Sequence, residues 1–280
     1  MHGTVRVSER GAVDGAVIGR TGQLSRPAGA RDHVAMTMTL PSLPRRLAAE
    51  AVGTAVLAAV VVGSGIRATA LSEDGGVRFL ANVSASALAL VVLVAVFAPV
   101  SGGHFNPLVS AAAWWTGRRT PDGPTVRETV AYGGAQLAGA VTGTGLANLM
   151  FERPFLQVSA QSRDGAHLWL AEAVATGVLV LLVFGLVRGG RGGFVPVAVG
   201  GWIGAACWAT SSGSFANPAV TLGRMFTDSY TGIAPGSAPA FVLSQLAGAL
   251  AGLALLPVLF GRSERGRATV PDDARELVAG

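Results

Sequence analysis

The chain reads as an all-α membrane protein: six transmembrane helices plus two re-entrant half-helices, arranged as an inverted three-helix repeat. Three observations predict this. Half of the 280 residues are hydrophobic and only 13% are charged, a composition too apolar for an ordinary soluble domain. The two halves repeat one another in sequence. Two Asn-Pro dipeptides, Asn106-Pro107 and Asn217-Pro218, stand at matched places, each directly after an apolar run.

Residues 1–40 carry Arg or Gly every few positions and hold no apolar stretch of signal-peptide length. They are expected to form a disordered cytoplasmic tail, with Met36 or Met38 as an alternative true start. A membrane domain over 41–260 follows, then a polar cytoplasmic tail over 261–280. Apolar runs of about 18–25 residues give six spans. These fall near 45–67, 79–100, 128–150, 168–188, 194–211 and 238–260.

The basic balance, 21 Arg with no Lys against 16 acidic residues, does not mark a nucleic-acid partner, because the arginines sit at span ends. One side carries Arg45, Arg46, Arg118, Arg119, Arg127, Arg188, Arg191, Arg262, Arg265 and Arg267. The other carries Arg67, Arg78, Arg153 and Arg163 interspersed with Glu73, Asp74, Glu152 and Asp164. The side rich in Arg is read as cytoplasmic, which puts both termini there and agrees with an even number of spans.

The repeat fixes the topology. Ala49–Leu57 matches Ala171–Leu179 at seven of nine places, and Gln136-Leu137-Ala138-Gly139-Ala140 returns as Gln245-Leu246-Ala247-Gly248-Ala249. Repeat one covers 45–150 and repeat two 168–260. Three spans per copy make the second copy enter the membrane from the opposite side, so the copies are related by a pseudo-two-fold axis in the membrane plane.

Each Asn-Pro is a helix start, because Asn caps with its side-chain oxygen and Pro at the first position gives up an N–H that has no partner there. The helical stretches that follow, Pro107–Trp115 and Pro218–Phe226, are too short to span, so each must re-enter as a half-helix. Irregular backbone at membrane depth is tolerated where protein covers it or water wets it, and two such loops imply a water-filled path. Carbonyls of 102–105 and 213–216 would offer acceptors along it, and Asn106 and Asn217 amide donors near its middle. Two converging helix N-termini oppose cations there.

Two Asn-Pro motifs preceded by Ser-Gly, each paired with a mid-span Glu in an inverted six-span repeat, resemble the major intrinsic protein family, the aquaporins and aquaglyceroporins, over about 45–260. The resemblance implies a passive channel domain over 41–260 for water or small uncharged solutes. It also implies a homotetramer with one pore per subunit in the lipid bilayer of the cell's inner (plasma) membrane, and no cofactor. Glu50 and Glu172 are then expected to accept hydrogen bonds from the backbone of the re-entrant loops, and His104 to order its loop.

Departures from the family pattern bear on selectivity. The first motif is Asn106-Pro107-Leu108, which sets a larger apolar side chain near the central constriction, whereas the second keeps Asn217-Pro218-Ala219. Val220 stands where most members carry the filter Arg. The family's spacing places the other filter positions at Ser86, at Cys207 or Ala205, and at Ser214. Such a filter is wider and less polar than a strict water filter. The segment from Asn217 to Ile233 also resembles a bacterial subgroup associated with arsenic detoxification, so neutral arsenous acid is a candidate solute.

Arg224, four residues beyond Val220, is either a displaced filter cation leaning into the vestibule or a structural Arg, for which Asp228 four residues on is the candidate partner. Gly139, Gly143, Gly248 and Gly252 have the spacing of close helix packing. A secondary transporter is the competing class, but no mid-span carboxylate remains for a coupling ion once Glu50 and Glu172 brace the loops. Four His and one Cys, two of the His in the N-terminal tail, assemble no enzyme site and no metal site.

Overall fold

A computed structural model describes residues 41–120 and 123–261; the tails expected at 1–40 and 261–280 lie outside them but for Gly261. Among the described residues are eight α-helices: α1 (Leu43–Leu71), α2 (Gly75–Ser101), α3 (Pro107–Gly117), α4 (Val126–Met150), α5 (Ala166–Arg188), α6 (Val195–Ala209), α7 (Pro218–Gly223) and α8 (Ala238–Phe260). Six are long, and α3 and α7 are the half-helices. Five of the six are apolar enough to cross a membrane on composition alone, with a single 3₁₀ turn, Gly192–Phe194, leading into α6. The exception is α4, 25 residues long, whose Gly, Thr, Asn and Gln dilute its hydropathy.

Those same small residues let α4 lie against α1. A methyl group on Gly139 would come within 2.3 Å of the Ala51 carbonyl oxygen, and one on Gly143 within 1.9 Å of that of Ala55. The second repeat copies the contact: Gly248 faces the Ala173 oxygen at 2.1 Å and Gly252 that of Gly177 at 2.3 Å on the same test. Backbones can approach this closely only where no Cβ intervenes. Thus α1 packs on α4 as α5 packs on α8, while α2 and α6 join the two repeats.

Each half-helix is held by both repeats, α3 touching α4, α8 and α5, and α7 touching α4, α8 and α1. One mismatch within the repeat has a packing cause. Gly53 replaces the Ala175 of the second copy because the ring of Phe105, fully buried, occupies the place a Cβ would take, 2.0 Å away. The matching loop position in the second copy is Ala216, which leaves room for Ala175.

The second half-helix is shorter than Pro218–Phe226, since regular α structure stops at Gly223 and Arg224–Phe226 tightens into a 3₁₀ turn. The first extends two residues beyond Trp115, to Gly117. At the end of the bundle where α1 and α4 begin, Thr125 and Glu128 form a reciprocal capping box, and Arg46 pairs with the Glu128 carboxylate.

Candidate functional site

The two re-entrant loops are built alike. Gly103 and Phe105 in the first, and Ser214 and Ala216 in the second, have positive φ (60°, 49°, 50° and 47°). Three of these four are not glycine, so the conformation is strained and must be held by its surroundings. Two carboxylates hold it. Glu50 Oε1 accepts the His104 amide at 3.0 Å and the Ser101 hydroxyl at 2.6 Å, and its Oε2 accepts the Phe105 amide and Gln136 Nε2, both at 2.7 Å. Glu172 accepts the Phe215 and Ala216 amides at 2.9 and 2.8 Å and Gln245 Nε2 at 2.7 Å. Both carboxylates are fully buried, so every lone pair offered to the loops replaces water that cannot reach them. His104 adds a ring-nitrogen hydrogen bond with the Ser110 hydroxyl at 3.0 Å.

Asn106 and Asn217 cap their helices as the Asn-Pro pairing requires, through Oδ1 to the Leu108 amide and to the Ala219 and Val220 amides. Their amide nitrogens do something the sequence does not disclose. Asn106 Nδ2 donates to the Ala216 carbonyl and Asn217 Nδ2 to the Phe105 carbonyl, each at 2.7 Å. One N–H of each Asn is therefore spent tying its half-helix to the opposite loop, and the other N–H remains for the pore. Asn217→Ala is expected to leave the buried Phe105 carbonyl without its partner and two N-terminal amides uncapped, lowering stability by about 2–4 kcal/mol in thermal melts of the purified protein.

A cavity of about 830 Å³ runs between the halves. At one end it is lined by Arg163, Arg224 and Tyr230, and at the other by Thr116 and Gly192, with Asn106 and Asn217 between. One wall is aliphatic, including Leu57, Leu90, Val94, Val199 and Ile203; the facing wall is the polar backbone of the two loops. Ser86, Cys207, Ser214 and Val220 all line it. Ala205, the other candidate in α6, is exposed on the outside of that helix and does not line the cavity. Ser86 Oγ donates back to the Asn82 carbonyl at 2.8 Å and Cys207 Sγ to that of Gly213 at 3.2 Å.

Leu108 is a correction. It does not line the cavity but lies in the buried cluster with Val180, Ala216 and Ala249, while its neighbour Val109 faces the pore. Pro107, Pro218 and Ala219 are likewise absent from the pore wall. The side chain after each Asn-Pro points across to the other half of the fold, where bulk affects packing and not bore. The pairing of Arg224 with Asp228 is also not found. Asp228 Oδ1 accepts the Ala160 amide at 3.0 Å, and Arg224 instead donates Nε to the Thr231 carbonyl, with its guanidinium carbon 3.3 Å from the centroid of the Phe215 ring.

Among the lining residues that the sequence did not disclose, three carry polar or aromatic groups beside the filter. Arg163 counts there only as a sidedness marker, yet it reaches the cavity from the loop before α5. Phe79 and Asn82 share the pore-facing side of α2 with Ser86, seven and four residues before it, a helical spacing that would have found them.

Comparison with known proteins agrees with this architecture. The family model described as major intrinsic protein matches residues 37–211 and again 169–278, overlapping as a duplicated unit should. The chain is 48% identical over 214 residues to aquaglyceroporin AqpS of Rhizobium meliloti (strain 1021), covering 76% of this chain and 89% of that one. It is 31% identical over 225 residues to nodulin-26 of Glycine max, covering 76% and 78%. Among solved structures, the aquaglyceroporin from Plasmodium falciparum aligns over 78% of this chain and 96% of its own with a TM-score of 0.58; at 20% identity this is a likeness of fold. With paired half-helices around one cavity and a family match in both repeats, the chain belongs to the major intrinsic protein family and is a multi-pass membrane channel, not an enzyme.

Proposed function

We propose that the chain passively conducts water and small uncharged solutes of glycerol-like size, arsenous acid among them, through a filter widened by the loss of its Arg. The observation that carries this reading is Val220: a buried aliphatic side chain occupies the place where the family's filter carries a guanidinium. Ser86, Cys207 and Ser214 complete the filter with small, uncharged groups. One aliphatic wall and one wall of backbone acceptors suit a solute with a hydroxylated edge and an apolar edge, because its hydroxyl groups then keep hydrogen bonds while its carbon or metalloid skeleton needs none. Asn106 and Asn217 serve at the pore centre as donors, with Glu50, Glu172 and His104 holding the loops that position them.

The proposed setting is a homotetramer in the plasma membrane, with residues 41–260 forming the channel domain and both termini on the Arg-rich, cytoplasmic side. Arg163 and Arg224 then face outward. Val220→Arg is expected to lower glycerol and arsenite flux by about tenfold or more while retaining most of the water flux, since a guanidinium narrows the gap by more than a methylene. Osmotic light scattering on proteoliposomes, together with arsenite uptake by cells with and without the protein, checks it. Equal arsenite uptake in both cell types would remove that solute from the list.

A further inference from the structure

Arg163 and Arg224 are gathered around one aromatic ring, with guanidinium carbons 5.1 and 3.3 Å from the centroid of Phe215. Three consecutive carbonyls hold them. Arg163 donates Nε to Gly232 at 2.8 Å and Nη2 to Tyr230 at 3.1 Å, while Arg224 donates Nε to the intervening Thr231. Both guanidiniums are thus fixed in position. Their remaining N–H groups, Nη1 of Arg163 and both Nη groups of Arg224, have no partner among the described residues, and both side chains line the cavity.

Among the described residues no carboxylate forms an ion pair with either guanidinium, and the buried Glu172 carboxylate acts on them only through space. The ion pairs among the described residues are Arg46 with Glu128 and Arg78 with Glu73, both elsewhere. Glu172 is committed to the loop amides, Asp228 to the Ala160 amide, and Asp164 accepts the Ser162 hydroxyl while fully exposed. Two fixed cationic forks with free N–H groups at one place call for a ligand rich in acceptors and bearing negative charge.

We propose that this vestibule is a binding station for a small inorganic oxyanion, held by the free Nη groups of Arg163 and Arg224. An oxyanion seated there narrows the mouth through which neutral solutes enter. The charge relieves the mutual repulsion of the two guanidiniums, which a neutral solute cannot do, and several oxygens at once satisfy donors that a halide, a single acceptor, would leave unpaired. The charge of the station comes from Arg163 and Arg224, and the four filter residues carry none.

Inorganic phosphate titrated into the full-length purified protein, in a chloride buffer of constant ionic strength, tests this by calorimetry. One saturable site per chain is expected, with affinity reduced about tenfold in Arg163→Gln, the scale of a lost charge-assisted pair. Arg163→Lys keeps the charge but loses the fork and is expected to fall between the two. Water flux in wild-type proteoliposomes is expected to fall saturably when phosphate replaces chloride. Heat no greater than that of chloride, or wild-type affinity in Arg163→Gln, would overturn the proposal; the wild-type phosphate-against-chloride comparison decides it even if a variant does not fold.

Discussion

Glu50→Ala is expected to destabilise the protein by about 3–5 kcal/mol and to abolish flux, because a buried network loses its common acceptor. The His104 and Phe105 amides, the Ser101 hydroxyl and the Gln136 amide all converge on this one carboxylate. None can turn to water, since Glu50 itself is wholly inaccessible. The strained positive φ of Phe105 then has nothing to hold it, and the carbonyl that receives Asn217 moves with it. Glu50→Gln retains an acceptor oxygen but turns an NH₂ towards donors, so an intermediate loss is expected. Melting of the purified protein followed by size-exclusion chromatography, with osmotic flux on whatever reconstitutes, measures both. A Glu50→Ala protein that melts and conducts like the wild type would mean the loop is held otherwise.

Gly143→Leu is expected to prevent assembly of the bundle. The new Cβ alone would sit 1.9 Å from the Ala55 carbonyl oxygen, a contact with backbone, which has no rotamer by which to retreat. To accommodate a whole isobutyl group, α1 and α4 must part. That parting also strips the neighbouring Gly139–Ala51 contact and tilts the segment that carries Glu50 and Gln136. Overpacking in a deformable core costs about 1–3 kcal/mol, and this site lacks the deformability. Gly133→Leu is the matched control, since a Cβ there meets its nearest neighbour at 4.0 Å. Yield of monodisperse protein from membranes compares them, with Gly143→Leu expected to give little and Gly133→Leu a near-normal amount.

Most of the fold was legible because the bilayer imposes length and because duplication marks the same chemistry twice. The span at 238–260 coincides with α8, and that at 128–150 differs from α4 by two residues at its start. The bracing by Glu50 and Glu172 is what the family resemblance implies, and the need of buried loop amides for acceptors gives it a physical reason. Side-chain direction is where sequence reasoning stops. Leu108 and Val109 are adjacent and both apolar, and only the orientation of α3 against α8 and α5 decides that Val109 meets the pore. The second-repeat half-helix ends early for a similar reason: Arg224 turns to reach the Thr231 carbonyl and the Phe215 ring, partners far from helical spacing. Arg163 stayed hidden because a loop residue has no periodicity to give it a face.

Neutral solutes are expected to cross by diffusion past an uncharged filter. Glycerol flux into proteoliposomes, recorded by light scattering over a wide range of glycerol gradients with and without an imposed proton or sodium gradient, tests it most directly. The predicted rate rises in proportion to the gradient, is indifferent to the ions, and falls in Val220→Arg. A rate that saturates and requires an ion gradient would contradict a channel and indicate a coupled carrier.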